Sequence, residues 1–148
     1  MTLARPENSP ADAARVLVAE DNRLNSLLIT EQLRLLGFLP TVVANGQEAL
    51  ARWRGGEFAL LLTDLNMPDM DGYALASAIR AEEGAGKRIP IIALTADAFH
   101  GKSERWRAAG IDAYLTKPLE LTALKTALEH WVRHGAGVAE VPTAPTSR

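Results

Sequence analysis

Four stretches of this chain carry side chains that could do chemistry together: the acidic pair Glu20-Asp21, the carboxylate Asp64, the hydroxyl of Thr95 and the ammonium of Lys117. From Asp21 it is 43 residues to Asp64, 31 more to Thr95 and 22 more to Lys117. Were these groups to meet, three carboxylates would repel one another, which raises pKa values or demands a cation. One lysine cannot balance three negative charges. A hard divalent ion can, and Mg2+ favours a few carboxylates together with water and a phosphate oxygen. Such a hollow is too rich in oxygen for zinc, and the chain has no cysteine to supply a thiolate. A carboxylate can also attack phosphorus and become an acyl phosphate. Asp64 is the candidate nucleophile. Lys117 and Mg2+ would neutralise charge on the transferring phosphoryl oxygens, and Thr95 would donate a hydrogen bond.

These groups meet only if the elements carrying them bring them to one place, and the hydrophobic pattern says that they do. "RVLVA" (Arg15–Ala19) reads as a strand that ends on Glu20-Asp21. Arg23–Leu36 carries Leu24, Leu27, Leu28, Gln32, Leu35 and Leu36 at helical spacing, with Gly37 where a C-cap glycine belongs. "LPTVVA" is a second strand, and Pro40 puts it at a sheet edge. Asn45 and Glu48 form a capping-box-like pair before a helix that stops at Gly55-Gly56. Phe58–Thr63, an unbroken run of apolar or small residues, is a third strand that delivers Asp64, followed by a helix over Tyr73–Glu83. Ile89–Thr95 is a fourth strand, Lys102–Ala109 a helix, Asp112–Thr116 a fifth strand and Glu120–Arg133 the last helix. Alternating strands and helices with near-continuous apolar strands predict an α/β fold, a parallel five-stranded sheet covered on both faces. In such sheets ligands sit beyond the carboxyl ends of the strands. In the doubly wound order 2-1-3-4-5 the tips of strands one, three, four and five lie side by side, and the acids, Thr95 and Lys117 converge.

Bulk properties narrow the field. The chain has 148 residues, 47% apolar and 23% charged, with a net charge of −2, as expected of one globular domain. No basic excess points to nucleic acid. No run approaches the roughly 20 apolar residues that span a bilayer, so no membrane contact is expected of this domain itself. Without cysteine or a signal peptide, a cytoplasmic setting is expected. The first 14 residues and "GAGVAEVPTAPTSR" at the end are rich in proline and small residues and read as linkers flanking a domain over 15–134.

The sequence resembles the receiver domain of two-component response regulators from about Arg15 to Arg133. The residues that carry the likeness are Glu20-Asp21, "DLNMPDMDG" (Asp64–Gly72), "ALTA" at 93–96 and "YLTKP" at 114–118. The resemblance implies a flavodoxin-like (βα)5 fold with Asp64 as phosphoacceptor, taking its phosphoryl group from a histidine on a kinase or histidine phosphotransfer domain. It implies that Asp21 binds Mg2+ directly, Glu20 mainly through water, Asp64 beside them, and Asn66 through its backbone carbonyl. Lys117, Thr95 and Ala96 would hold the phosphoryl group, and Lys117-Pro118 would be a cis bond. Thr95 and Tyr114 would be the switch pair, whose movement is read on the face of the fourth helix, fifth strand and fifth helix. Asn66 and Asp97 match positions that tune hydrolysis. "VLVAEDNRLNSLLITEQLRLLGF" and "VVANGQEAL" are most like receivers fused to hybrid sensor histidine kinases, which pass the phosphoryl group to a downstream phosphorelay protein. A stand-alone single-domain regulator is the alternative.

Other chemistries share parts of this pattern. A phosphatase of the haloacid dehalogenase type also uses a strand-tip Asp, Mg2+, a hydroxyl and a Lys, but needs an acid two residues after the nucleophile, where Asn66 stands. The expectation is therefore a switch rather than an enzyme. A receiver that only docks and never takes phosphate would not need the intact acids, Thr95 and Lys117. "GKS" at 101–103 lacks the earlier glycine of a P-loop. His130 and His134, four apart, show no third ligand, and Trp53, Trp106 and Trp131 read as packing residues. Tyr114 could equally be a half-buried packing aromatic.

Overall fold

The computed structural model describes residues 14–84, 88–96 and 103–134; the terminal stretches read as linkers, apart from Ala14, and Asp97 lie outside these residues. Its elements alternate without exception: β1 (Arg15–Ala19), α1 (Arg23–Leu35), β2 (Leu39–Val43), α2 (Gly46–Gly55), β3 (Leu60–Asp64), α3 (Gly72–Glu83), β4 (Ile91–Thr95), α4 (Ser103–Ala109), β5 (Ala113–Thr116) and α5 (Leu121–His134). The sheet runs β2-β1-β3-β4-β5 and every neighbouring pair is parallel. No helix among the described residues is long and apolar enough to cross a membrane.

Strand composition follows position in this order. All five residues of the central β3 are buried, and its neighbours β1 and β4 each expose only their outermost residue to any degree. The edge strands differ. β2 is mostly half-buried or exposed and carries Pro40, and β5 alternates buried with less buried residues. Alternation along the strands divides the core into two layers. Leu17, Leu61, Ile91 and Ala93 pack with Ala49 and Leu50 of α2 and Leu75 and Ile79 of α3, with Trp106 of α4 at the margin. Val16, Val18, Leu60 and Leu62 pack on the other face with Ile29 and Leu33 of α1 and Leu124, Leu128 and Trp131 of α5.

Three details differ from the sequence pattern. β3 begins at Leu60 rather than Phe58, whose ring lies 4.7 Å from the Arg15 guanidinium. β4 begins at Ile91 rather than Ile89, since Pro90 has no N–H for the ladder. In α1 the leucines that signal the helix face outward: Leu24 is 71% and Leu35 73% exposed, with Leu27 and Leu28 also exposed. Ile29 and Leu33 make the buried face instead. The helix ends as expected on Gly37 at φ 89°. The Gly37 N–H donates to Arg34 and the Phe38 N–H to Leu33, closing the last turn over the free carbonyls.

Candidate functional site

At the tip of β1 the Glu20 N–H donates to the Val43 carbonyl at 3.0 Å, continuing the sheet one residue past the strand. Asn22 then caps α1, its Oδ1 accepting from the Asn25 N–H at 2.9 Å. The Asn22 N–H donates to Glu20 Oε2 at 3.2 Å. This turn folds Glu20 inward, leaving it 2% exposed, while Asp21 stands in solvent.

β3 carries Asp64 as its last residue, opposite Leu94 of β4 and 6% exposed. The loop after it folds back tightly. Asp64 Oδ1 accepts from the Asn66 N–H at 3.3 Å, Asp69 takes a positive φ of 67°, and Asp71 caps α3 through the Ala74 N–H. Gly72 is required here by contact: a Cβ on it would lie 2.5 Å from the Asp64 carbonyl oxygen. Sequence reasoning missed the matching constraint at Gly46, where a Cβ would lie 2.5 Å from the Met70 carbonyl. The only local signal was the glycine after the cap Asn45, and nothing near it in the chain points to Met70.

The structure brings the acids and the lysine together. Glu20, Asp21 and Asp64 each offer an oxygen within 4.8 Å of the others. Lys117 Nζ lies 3.2 Å from Glu20 Oε1 and 3.3 Å from Asp64 Oδ2. Lys117 is fixed from behind by its own N–H, which donates to the Thr95 carbonyl at 2.9 Å. The Lys117-Pro118 bond is cis, as the resemblance implied.

Electrostatics in the hollow follow from burial and crowding. Burial, and then the nearby Asp64 charge, raise the Glu20 pKa, and the Asn22 N–H and Lys117 only partly offset them. For Lys117, burial alone would lower the pKa, but Asp64 and Glu20 outweigh it and the net shift is upward. One lysine therefore leaves the carboxylates under-compensated. Glu20 Oε1 is buried and, among the described residues, has no hydrogen bond of good geometry beside its ion pair with Lys117. A cluster of hard oxygens that shares one lysine fits Mg2+.

Thr95 ends β4, half-buried, and Ala96 follows it, exposed. Asn66 is exposed on the loop beyond Asp64. Tyr114 is half-buried in β5, three residues before Lys117, with its ring edge-on to Trp106 of α4 at 5.9 Å and 60°. That ring pair was not legible from sequence spacing. The side chain of His134 and residues 101–102 lie outside the described set.

Known proteins place this geometry in a family. Residues 16–129 match the response regulator receiver domain. The virulence sensor protein BvgS of Bordetella pertussis is 39% identical over 149 residues, covering 98% of this chain but 12% of that protein. The chain thus spans about an eighth of the length of this relative. Among solved structures, the receiver domain of sensor histidine kinase PA1611 from Pseudomonas aeruginosa, with a magnesium ion in its active-site cleft, is 38% identical with a TM-score of 0.75. That match covers 82% of this chain and 98% of the other. The receiver domain of the Saccharomyces cerevisiae regulator Ssk1, solved with the histidine phosphotransfer protein Ypd1, is 29% identical with a TM-score of 0.75. It covers 86% and 94% of the two chains. By sequence match, strand order and the converging acids alike, the chain belongs to the response regulator receiver domain family.

Proposed function

We propose that Asp64 is the phosphoacceptor and that the chain serves in a phosphorelay as the receiver of a hybrid sensor histidine kinase. The observation that carries this is the Lys117 ammonium held against both Glu20 and Asp64 at a strand-tip acidic cluster. An Asp64 carboxylate oxygen attacks the phosphorus of a phosphohistidine. The oxygen–phosphorus bond forms as the phosphorus–nitrogen bond breaks, and the electron pair returns to the imidazole nitrogen. Lys117 holds a phosphoryl oxygen by charge, and Thr95 and the Ala96 N–H donate to others. Asp21, Asp64, the Asn66 carbonyl and, through water, Glu20 would hold Mg2+, which would supply charge neutralisation. Thr95 and Tyr114 then move inward, and the α4-β5-α5 face carries the change. Asn66 and Asp97 set access of water to the acyl phosphate.

The histidine donor is a kinase or phosphotransfer domain, as supported by the yeast complex and by the P. aeruginosa receiver belonging to a sensor histidine kinase. The setting proposed is cytoplasmic, with 15–134 as the working domain between linkers. The domain is a switch rather than an enzyme with a substrate of its own. Incubating the chain with a histidine phosphotransfer protein labelled on its histidine tests the reading. Label should pass to this chain only with Mg2+, and EDTA should stop the transfer. Sustained turnover of a chromogenic phosphomonoester would favour the phosphatase instead.

A further inference from the structure

Gln32 sits in α1, on the far side of the molecule's sequence from the lysine of the hollow. Its Nε2 nevertheless donates to the Leu119 carbonyl at 3.1 Å, across 87 residues of chain. Leu119 is two residues past Lys117 and packs on the apolar layer between α1 and α5. The segment carrying Lys117 is therefore held on both sides: before it by the Lys117 N–H on the Thr95 carbonyl, after it by Gln32. Between these anchors Lys117 reaches two carboxylates at 3.2 and 3.3 Å.

The amide can serve only one way round. Turned over, its oxygen would face the Leu119 carbonyl oxygen, two acceptors together. As it stands, Oε1 is buried with no hydrogen-bond partner among the described residues. A half-satisfied buried amide is a poor choice for stability where an apolar side chain would pack. Its bond to Leu119 is thus better explained by what it does for the loop.

We infer that Gln32 is a positioning residue for Lys117, holding the Leu119 carbonyl and so fixing how far the ammonium extends into the hollow. This rests on the phosphoacceptor reading above. Gln32 touches none of the carboxylates, so its removal should separate phosphoryl handling from cation binding.

The test compares the full chain with Gln32→Met, which lacks the donor, and Gln32→Lys, which restores one at similar reach. Phosphorylation by acetyl phosphate, Mg2+ affinity and thermal stability are measured on each. Gln32→Met should slow phosphorylation about three- to tenfold while leaving the Mg2+ Kd within about twofold. Gln32→Lys should recover most of the rate. A Gln32→Met chain phosphorylated as fast as the parent overturns the inference. So does a parallel fall in rate and Mg2+ affinity, which marks general loosening, or a Gln32→Lys chain as slow as Gln32→Met. A parent chain that takes no phosphoryl group contradicts the phosphoacceptor reading. In that event the Thr116 and Lys117 amide NMR shifts decide for Gln32: movement in Gln32→Met supports the positioning role and its absence refutes it.

Discussion

Glu20 shows how the hollow trades stability for readiness. Its carboxylate is buried beside Asp64 and its pKa is raised by burial and that neighbouring charge. A proton is therefore held more tightly in the folded protein than in the unfolded chain. The stability linked to this group is present in acid, where Glu20 is protonated, and is lost as pH rises through its raised pKa. At neutral pH, without a divalent cation, Glu20→Gln should thus be more stable than the parent in urea denaturation, and the difference should vanish in acid. The same substitution should weaken Mg2+ binding about tenfold or more. A variant less stable at neutral pH, with unchanged Mg2+ affinity, would contradict this picture of the charge. Lys117 shifts in the same direction, because Asp64 and Glu20 outweigh its burial; its contribution is lost only on the alkaline side.

The elements present these residues by local rules, and the rules differ in how visible they are in sequence. Asn22, Asn45 and Asp71 each cap a helix through the N–H three residues on, a pattern written within a few neighbouring residues. Asn45 and Glu48 come close to the expected reciprocal pair, though Glu48 reaches the Ala44 N–H. The glycine contacts are another matter. Gly72 against the Asp64 carbonyl and Gly46 against Met70 depend on how loops fold back, and one-dimensional spacing carries little of that. Gly72→Ala should cost about 1–3 kcal/mol by chemical denaturation, because backbone rather than a flexible side chain blocks the new methyl group. A change near zero would mean that α3 can shift away from Asp64 freely. The outward leucines of α1 show the limit of periodicity: it marks the helix but cannot choose the buried face when both sides are apolar. At the proposed output face, the Trp106 ring against Tyr114 joins α4 to β5. Beryllofluoride with Mg2+ should therefore move amide NMR signals of α4, β5 and α5 together. Shifts confined to the strand tips would argue against that face as the output.

At the scale of the whole molecule, order and burial explain why the chemistry lies where it does. The most deeply buried strand, β3, occupies the middle of β2-β1-β3-β4-β5, so its tip lies among those of β1, β4 and β5, and Asp64 arrives beside Glu20 and Lys117. That much was legible, because continuous apolar runs mark central strands and an edge proline marks β2. The opposite end is built for holding instead: Arg80 of α3 donates to Asp112, Glu83 and the Gly110 and Ile89 carbonyls. No periodicity linked those partners. In the proposed function the crowded acids make Asp64 the group that takes phosphate. The most direct test is to phosphorylate the chain with acetyl phosphate and Mg2+, then map the modified residue by peptide mass spectrometry. The expected result is one phosphoryl group, on Asp64, absent from Asp64→Asn. A phosphoryl group on another residue, or an Asp64→Asn chain labelled to the same extent, would contradict the account.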